Sequence, residues 1–406
     1  MFASSSTLPP LPSSETGEEN DPHYPLGLTP AERQWSDLYP YVARRGYHLR
    51  SRYRPGWIGS WIQEGLSTSE LMLRPTWRYE YEDAVPSPGR LTVIDATRIN
   101  DGAPVALKLI SMSAQINTPD SNEIEILQYL SSSALAQDPR NHCIQMIDSF
   151  EVFTPAEMKE LSAQGFSNAF IAVFPFARKW TDIPFRLVWE GLDFVRQVLE
   201  GLAFLHEHNI AHRDIRSENL MMDAASQCFS ATYPCDRIDT PVRYLFIDLG
   251  SSTKFDEHRL VEFRHGWHKE IPEIYEMDSE GNRVPTRLYD PFKGDVFVLG
   301  MVLDVYFGKS ISSLQPLFSF MQNSSPAHRP TASEALSLFH QYTNPLYTSR
   351  IHAVMPIADP SPFGDGELDF FTRWMVRTVA YLWGWIDYLR LVYKVLWEGH
   401  ELRIGT

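Results

Sequence analysis

The chain has 406 residues, 43% apolar side chains and a formal net charge of -15. This length and apolar content suffice for one two-lobed domain with extensions. The acidic balance argues against general nucleic-acid binding, which needs basic surface to displace counterions from phosphates. The odd number of cysteines fits a reducing compartment, and no disulfide or metal-ligand pattern joins Cys143, Cys228 and Cys235. The first residues lack the basic and apolar regions of a signal peptide, so we expect a cytoplasmic protein, with the nucleus or a membrane surface as alternatives.

The N-terminal region divides into a polar tail and an aromatic-rich extension. Residues 1–27 are rich in Ser, Pro, Glu and Gly, so we expect a disordered tail. Within the extension, residues 28–90, the sequence Thr29-Pro-Ala-Glu32 is a capping box that predicts a short helix to about Arg45. We expect the aromatic-rich part, residues 46–85, to pack on the domain that follows.

From residue 91 the apolar pattern becomes strand-like. It predicts strands at 92–94, 104–110, 144–152 and 169–175. A helical pattern opens at Asn122. Residues 91–177 therefore read as a small antiparallel sheet with one helix. Apolar residues then recur at helical spacing from Val188 to His208, which predicts a mainly helical region over residues 178–345. The predicted fold class is α+β.

The C-terminal part reads as a linker, residues 346–365, and an amphipathic helical segment, residues 366–400. On a helix, its charged side chains form one narrow stripe beside a mostly apolar surface. Residues 373–397 carry four basic and one acidic side chain. We expect this stretch to dock on the helical region, or to contact an anionic membrane surface or a partner groove.

Two polar motifs follow the long predicted helix. Residues 212–219 read His-Arg-Asp-Ile-Arg-Ser-Glu-Asn, and after an intervening segment the chain reads Phe246-Ile-Asp-Leu-Gly250. Phosphoryl transfer requires a carboxylate that orients the attacking hydroxyl and further oxygen ligands that hold magnesium. Asp214, Asn219 and Asp248 have the side chains for these tasks.

Further motifs lie on both sides in a fixed order. Val105-Ala-Leu-Lys108 falls within a predicted strand, and Glu123 follows it, with Glu125 as the weaker alternative. Downstream come Ile271-Pro-Glu273, then Asp295 at the start of an apolar stretch, and finally Arg329. Taken together, the order and spacing of these motifs are rare by chance.

The motifs resemble those of the protein-kinase superfamily, and the resemblance runs from about residue 91 to about residue 340. It implies a two-lobed fold with a small antiparallel N-lobe and a mainly helical C-lobe. More narrowly, the chain resembles the expanded kinase-domain proteins of mushroom-forming fungi, in stretches such as Arg54-Pro-Gly-Trp-Ile-Gly-Ser-Trp61 and Tyr289-Asp-Pro-Phe-Lys293.

The resemblance implies roles for individual residues in binding ATP and Mg²⁺. Asp214 would orient the substrate hydroxyl, Lys108 would hold the phosphates with Glu123 orienting it, and Arg216 would neutralise the transferred charge. Asn219 and Asp248 would bind magnesium, while Phe174 and Ala177 would stand at the hinge that contacts adenine. The resemblance implies structural roles for His212, Arg213, Gly250, Glu273, Asp295 and Arg329.

The glycine-rich phosphate loop is the main departure from the family pattern. Counting back from Val93, the positions normally occupied by glycine hold Pro86, Pro88 and Leu91. Proline has no N–H to offer a phosphate. The leading interpretation is a protein kinase that acts on Ser/Thr hydroxyls, because Ser217-Glu-Asn219 is close to the loop of Ser/Thr kinases. The alternative is a pseudokinase that binds nucleotide or protein as a scaffold. A small-molecule phosphotransferase of related fold is a third, less favoured interpretation.

The sequence also bears on what neutralises Arg213 and on the role of three nearby histidines. No Ser, Thr or Tyr lies between Lys254 and Pro272. We therefore expect a fixed carboxylate, such as Asp256, Glu257 or Glu262, to neutralise Arg213 in place of a phosphate. The nearby histidines at 206, 208 and 212 resemble a metal cluster, but packing roles are the better interpretation because acidic or thiolate partners are not placed beside them.

Overall fold

A computed structural model describes the chain in two compact units. The N-terminal unit comprises Met1–Asn117 and Met146–Phe176, and the C-terminal unit comprises Thr118–Gln145 and Ala177–Thr406. The described residues are 27–85, 92–111, 123–153, 169–182, 185, 187–223, 242–262, 270–277, 279–280, 283–285 and 288–344. The predicted tail, the positions Pro86, Pro88 and Leu91, and the C-terminal amphipathic segment lie outside them.

A five-stranded sheet forms the centre of the N-terminal unit. Its strands are β1 (Tyr47–Leu49), β2 (Val93–Arg98), β3 (Pro104–Ser111), β4 (Asp148–Glu151) and β5 (Ala169–Pro175). They follow the order β1-β2-β3-β5-β4, and every neighbouring pair is antiparallel. The antiparallel sheet predicted from the sequence is therefore present, and each predicted strand overlaps one of its strands, although the strand predicted at 144–152 is shorter and covers only Asp148–Glu151.

The edge strand β1 comes from the segment that the sequence assigns to the extension. Tyr47 pairs with Arg98 and Leu49 with Ala96. Tyr47 and Leu49 are buried while His48 between them is exposed, which is the alternation of a strand with one covered face. Three residues are too few for this alternation to stand out in a sequence. The connection from β1 to β2 therefore runs from residue 50 to residue 92.

Helix α1 (Pro30–Arg44) covers one face of this sheet. It begins with the predicted capping box, in which Thr29 and Glu32 each bind the other's backbone N–H. Its apolar side chains Trp35, Leu38 and Val42 share a core with residues of β1, β2, β3 and β5. The helix therefore belongs to the core of the unit.

The connection between β1 and β2 contains three short helices, α2 (Ser60–Gln63), α3 (Thr68–Met72) and α4 (Trp77–Glu80). They surround a second small core of Trp61, Leu71, Tyr81 and Ala84. The Asp83 carboxylate accepts hydrogen bonds from Trp57 Nε1 and from the backbone and hydroxyl of Ser60. The described part of this connection is thus a packed element.

The C-terminal unit is mainly helical. It includes the helix predicted to open at Asn122, which we expected beside the sheet of residues 91–177. Its helices are α5 (Glu123–Leu130), α6 (Ser133–Ala136), α7 (Val188–Glu207), α8 (Pro291–Phe307), α9 (Gln315–Met321) and α10 (Ala332–Thr343). Asp290 caps α8 by accepting bonds from two backbone N–H groups, and Pro291 occupies its first turn. The long helices α7 and α8 are buried along much of their length.

Short strands carry the polar motifs of this unit. Strands β6 (Arg178–Lys179), β8 (Leu220–Asp223) and β9 (Arg243–Phe246) form one sheet, and β7 (Ile210–Ala211) pairs with β10 (Thr253–Lys254). Strands β11 (Tyr275–Met277) and β12 (Arg283–Pro285) form a separate pair. Residues 224–241, in the segment between the two polar motifs, lie outside the described residues.

Candidate active site

Asp295, near the start of α8, holds the motif that begins at His212. Its Oδ2 accepts the backbone N–H of His212 at 2.7 Å, and its Oδ1 accepts that of Arg213 at 2.8 Å. The Nε2 atom of His206 lies 3.1 Å from Oδ2. Asp295 is 3% exposed, so its charge is compensated almost entirely by these protein donors. The carboxylate therefore fixes the entry to the loop.

His212 joins this loop to the strand that precedes Asp248. Its Nδ1 accepts the backbone N–H of Asp214 at 3.3 Å, so Nε2 carries the proton and donates to the carbonyl of Ile247 at 3.1 Å. Complete burial lowers the pKa of His212, which agrees with a neutral ring that has one donor and one acceptor. The imidazole has a structural role in this arrangement.

Asp214 and Asn219 contact each other directly. The Nδ2 atom of Asn219 donates to the carbonyl and to Oδ2 of Asp214, at 2.8 Å in both cases. The two residues are 7% and 3% exposed. Because the amide nitrogen of Asn219 is used by Asp214, its amide oxygen is the atom that can bind a cation.

The register of β8 and β9 brings Asp248 beside Asn219. Leu220 pairs with Phe246, and the N–H of Ile247 donates to the carbonyl of Asn219 at 3.0 Å. Asp248 follows with φ 60° and ψ 68°, a left-handed conformation that costs a non-glycine residue about 1–3 kcal/mol. Strain of this kind is common at functional sites. The two polar motifs are thus neighbours in the structure, although an intervening segment separates them in the sequence.

The donor set of this region fits magnesium. Mg²⁺ prefers oxygen ligands, and it usually binds one or two carboxylates together with water and substrate phosphates. The carboxylate of Asp248 and the amide oxygen of Asn219 satisfy that preference. Among the described residues, no group of three or more His, Cys, Asp or Glu side chains could hold a metal ion by itself. A site completed by nucleotide phosphates is consistent with both observations.

Arg216 lies close to two carboxylates. Its Nε is 3.9 Å from Oδ2 of Asp214 and 4.0 Å from Oε2 of Glu218, and its side chain is 16% exposed. A guanidinium that is mostly buried next to the proposed catalytic carboxylate can offer charge to a bound phosphate.

Arg213 makes different contacts from those predicted. Its Nη1 donates to Thr253 Oγ1 at 2.8 Å, and its Nε donates to the hydroxyl of Tyr289 at 3.4 Å. Within the described part of the chain it forms no ion pair with Asp256, Glu257 or Glu262, so that prediction is wrong. Those three carboxylates are exposed and keep their water, whereas Thr253 and Tyr289 are buried.

Glu273 and Arg329 form a buried ion pair. Nη1 and Nη2 of Arg329 donate to the two carboxylate oxygens at 2.6 and 2.5 Å. The guanidinium also donates to the carbonyls of Asn323 and Lys293. The arginine side chain is fully buried. This pair ties the segment after Glu270 to the start of α8 and to the loop after α9.

The other predicted residues lie as follows. Lys108 is half-buried in β3 of the N-terminal unit, and Phe174 is 6% exposed in β5 of the same unit. Glu123 begins α5 in the C-terminal unit and is 9% exposed. Ala177 follows β5, and Gly250 is exposed in a short 3₁₀ helix, Leu249–Ser251. Their proposed roles toward nucleotide stay predictions.

Three contacts around the loop were not predicted from the sequence. Trp180 Nε1 donates to the carbonyl of Ser217 at 3.1 Å, and Ser217 Oγ lies 3.0 Å from the Tyr306 hydroxyl. The hydroxyl of Tyr289 at Arg213 is the third. All of them join residues far apart in the chain, and no local motif marks them.

Of the helices described, none is long and apolar enough to span a membrane.

Comparison with known proteins finds a family match over this part of the chain. The family model described as "Protein kinase domain" matches residues 89–266, a range that contains Lys108, Asp214, Asn219 and Asp248. Together with the relatives below, this match supports the protein-kinase superfamily. The antiparallel sheet and the helical region are consistent with a two-lobed kinase fold.

Three relatives illustrate the similarity. The chain is 30% identical to the serine/threonine-protein kinase pim-2 of Danio rerio over 36% of this chain and 48% of the relative. It is 25% identical to the serine/threonine-protein kinase US3 homolog of Gallid herpesvirus 2 (strain GA), over 37% of each chain. The serine/threonine-protein kinase prpf4B of Dictyostelium discoideum is 22% identical over 48% of this chain and 22% of its own length. The chain therefore spans less than half the length of each of these relatives.

Proposed function

We propose that the protein is an active kinase that transfers the γ-phosphate of ATP to Ser/Thr hydroxyls of a protein substrate. The observation that carries this proposal is the contact between Asp214, Asn219 and the Ile247–Asp248 segment. A dead site has no need of this set of polar residues, two of which are buried and one of which has a strained backbone. The names of the relatives favour Ser/Thr over Tyr as acceptor.

Each residue has one task in this mechanism. Asp214 accepts and orients the proton of the substrate hydroxyl, and the bond from Asn219 Nδ2 holds its carboxylate in place. Asn219 Oδ1 and Asp248 would hold Mg²⁺, which, when bound, neutralises phosphate charge. Lys108 would contact the phosphates and Glu123 would orient Lys108. Arg216 would stabilise charge on the transferred group.

The pseudokinase is the second candidate, and one observation favours it. Residues 50–92, which include three short helices, join the first two strands of the sheet. The family that the chain resembles has a short glycine-rich loop at this place. Such a connection offers phosphate no run of glycine N–H groups. The narrower resemblance to the kinase-domain proteins of mushroom-forming fungi suggests a lineage and names no substrate.

A radiolabelled ATP assay tests the proposal. Wild-type protein should transfer label to a mixed protein substrate, and Asp214→Asn, Lys108→Met and Asp248→Ala should each reduce transfer by at least about a hundredfold. Arg54→Ala, a change of an exposed residue in the N-terminal unit, is the matched control and should leave transfer unchanged. Undiminished transfer by the three site variants would contradict the assignment. Mg-ATP binding without any transfer by the wild type would select the pseudokinase.

The C-terminal stretch 373–397 remains a separate proposal, and it lies outside the described residues. Its basic stripe and apolar remainder suit either docking on the helical region or contact with anionic lipid. Removal of residues 366–406 should release any membrane-associated fraction if lipid is the partner. A sharp fall in melting temperature, with full-length protein that ignores anionic liposomes, would favour docking.

A further inference from the structure

The loop at residues 212–217, which carries Asp214 and Arg216, is attached to α8 twice. At its start, Asp295 binds the backbone N–H groups of His212 and Arg213. At its end, the hydroxyl of Tyr306 lies 3.0 Å from Ser217 Oγ. Asp295 and Tyr306 belong to the same helix. One helix therefore contacts both ends of the loop that carries Asp214 and Arg216.

The spacing of these two attachments follows from helix geometry. Eleven residues separate Asp295 from Tyr306, which corresponds to about three turns and about 16 Å along the axis. At about 100° per residue, the two side chains leave the helix within about 20° of each other, so they lie on one face.

The stretch of chain between the two attachments is short. From Arg213 to Ser217 the chain advances four residues, and a fully extended chain spans at most about 14 Å over that distance. The backbone of Arg216 is in fact extended, with φ -158° and ψ 166°. A short loop that is held at both ends leaves few positions for Asp214 and Arg216.

A second donor strengthens the attachment at Ser217. Trp180, which is 2% exposed, donates its Nε1–H to the carbonyl of Ser217 at 3.1 Å. Its ring stacks on Phe194 at 4.3 Å between centroids and meets the Tyr306 ring edge-on at 4.6 Å. Packed aromatic rings have few rotamers, so the Trp180 Nε1–H and the Tyr306 hydroxyl are both held in place beside Ser217.

We propose that Tyr306 and Trp180 are positioning residues that fix Ser217 and thereby set the placement of Arg216 and Asp214 for phosphoryl transfer. This inference rests on the proposed kinase function. Both residues act through Ser217, since Trp180 binds its carbonyl and Tyr306 meets its hydroxyl. Misplacement of a catalytic group by about 1 Å can cost about a hundredfold in rate, so contacts that hold the loop in place should affect catalysis. We call the contacts of Trp180 and Tyr306 with Ser217 the clamp.

The test uses changes that remove only the bonding atoms. In the full-length protein, Tyr306→Phe and Ser217→Ala should each lower kcat about tenfold, with an unchanged KM for ATP and a melting temperature within about 2 °C of wild type. Trp180→Phe keeps a ring and removes the donor, so it should act in the same direction. Tyr342→Phe, an exposed change in α10, is the matched control and should have no effect.

The double variant and hydrogen exchange complete the test. Because Ser217 and Tyr306 act through one bond, the pair of changes should be no worse than either alone, whereas additive losses would overturn the proposal. Amide exchange in residues 214–219 should be faster in Tyr306→Phe than in wild type and Tyr342→Phe. Unchanged exchange would also overturn the clamp. Exchange does not need activity, so a wild type without phosphotransfer would refute the kinase function while this measurement still decides the clamp.

Discussion

Within the described residues, each unit contains a fully buried arginine side chain that joins distant segments. In the N-terminal unit, Arg52 donates to both carboxylate oxygens of Glu32 and to the carbonyls of Gly27 and Asp83. In the C-terminal unit, Arg329 donates to both oxygens of Glu273 and to carbonyls before and after α9. The chemistry is the same in both places, since a planar guanidinium satisfies a carboxylate and several carbonyls at once.

The carboxylate partners differ. Glu32 also accepts the backbone N–H of Thr29 at 2.9 Å and the hydroxyl of Tyr53 at 3.0 Å. It is therefore both a member of the capping box of α1, whose N-cap is Thr29, and the ion-pair partner of Arg52. Glu273 lies in a short 3₁₀ helix and has no such second task in helix capping. A residue in a local capping motif can therefore also be the centre of a tertiary network.

Removal of either arginine should have the largest effect. Arg52→Ala and Arg329→Ala each leave a buried carboxylate without its partner, so each should lower the free energy of unfolding by about 3–5 kcal/mol. Urea titration measures the loss, and hydrogen exchange in α1 or α8 assigns it to a unit. The exposed Arg54→Ala control should stay within about 0.5 kcal/mol of wild type. Losses below about 1 kcal/mol at both sites would show that the two networks are not structural centres.

Lysine substitutions sharpen the comparison. Lysine keeps the charge but cannot donate to a carboxylate and to separate carbonyls in a fork. Arg52→Lys and Arg329→Lys should each cost about 1.5–3 kcal/mol, the value of lost bonds to charged groups. The measurement is again urea unfolding beside the alanine variants. A lysine variant as unstable as its alanine counterpart would mean that charge contributes nothing at that site.

Capping changes separate the two tasks of Glu32. Thr29→Ala removes the side chain that binds the Glu32 N–H at the start of α1 and should cost about 1 kcal/mol. Thr331→Ala makes the same change in the capping box of α10, where Glu334 and Thr331 bind each other's backbone N–H groups. Because Glu32 is also held by Arg52, we expect the cost at Thr29 to be the larger. Equal costs would show that capping and ion pairing at Glu32 are independent.

Acid should weaken the N-terminal network, and the sign follows from Glu32. Burial alone would raise the pKa of Glu32, but the hydrogen bonds from Arg52 and Thr29 outweigh it and lower the pKa below 4.5. The contribution of Glu32 to stability is therefore complete above about pH 4.5 and is lost as the pH falls through the lower folded-state pKa. Unfolding followed against pH should show this loss in wild type and a flatter profile in Glu32→Gln. Identical profiles would remove Glu32 from the account of acid stability.

Local patterns in the sequence were sufficient for many elements. The capping box at Thr29 marked the start of α1 because both bonds lie within four residues. The apolar spacing from Val188 marked α7, which ends at Glu207. The order of the motifs at Asp214, Asn219 and Asp248 predicted a shared site, and the β8–β9 register places Asn219 next to the Ile247–Asp248 segment.

Only the tertiary structure decided which distant residues complete these elements. Arg52 is one of several arginines between residues 44 and 54, and nothing local distinguishes the buried one. The partners of Arg213 proved to be the hydroxyls of Thr253 and Tyr289. Tyr306 meets Ser217 across 89 residues of sequence. Motifs and periodicity report bonds made within a few residues, whereas these contacts depend on how helices and strands pack, and no short stretch of sequence encodes that packing.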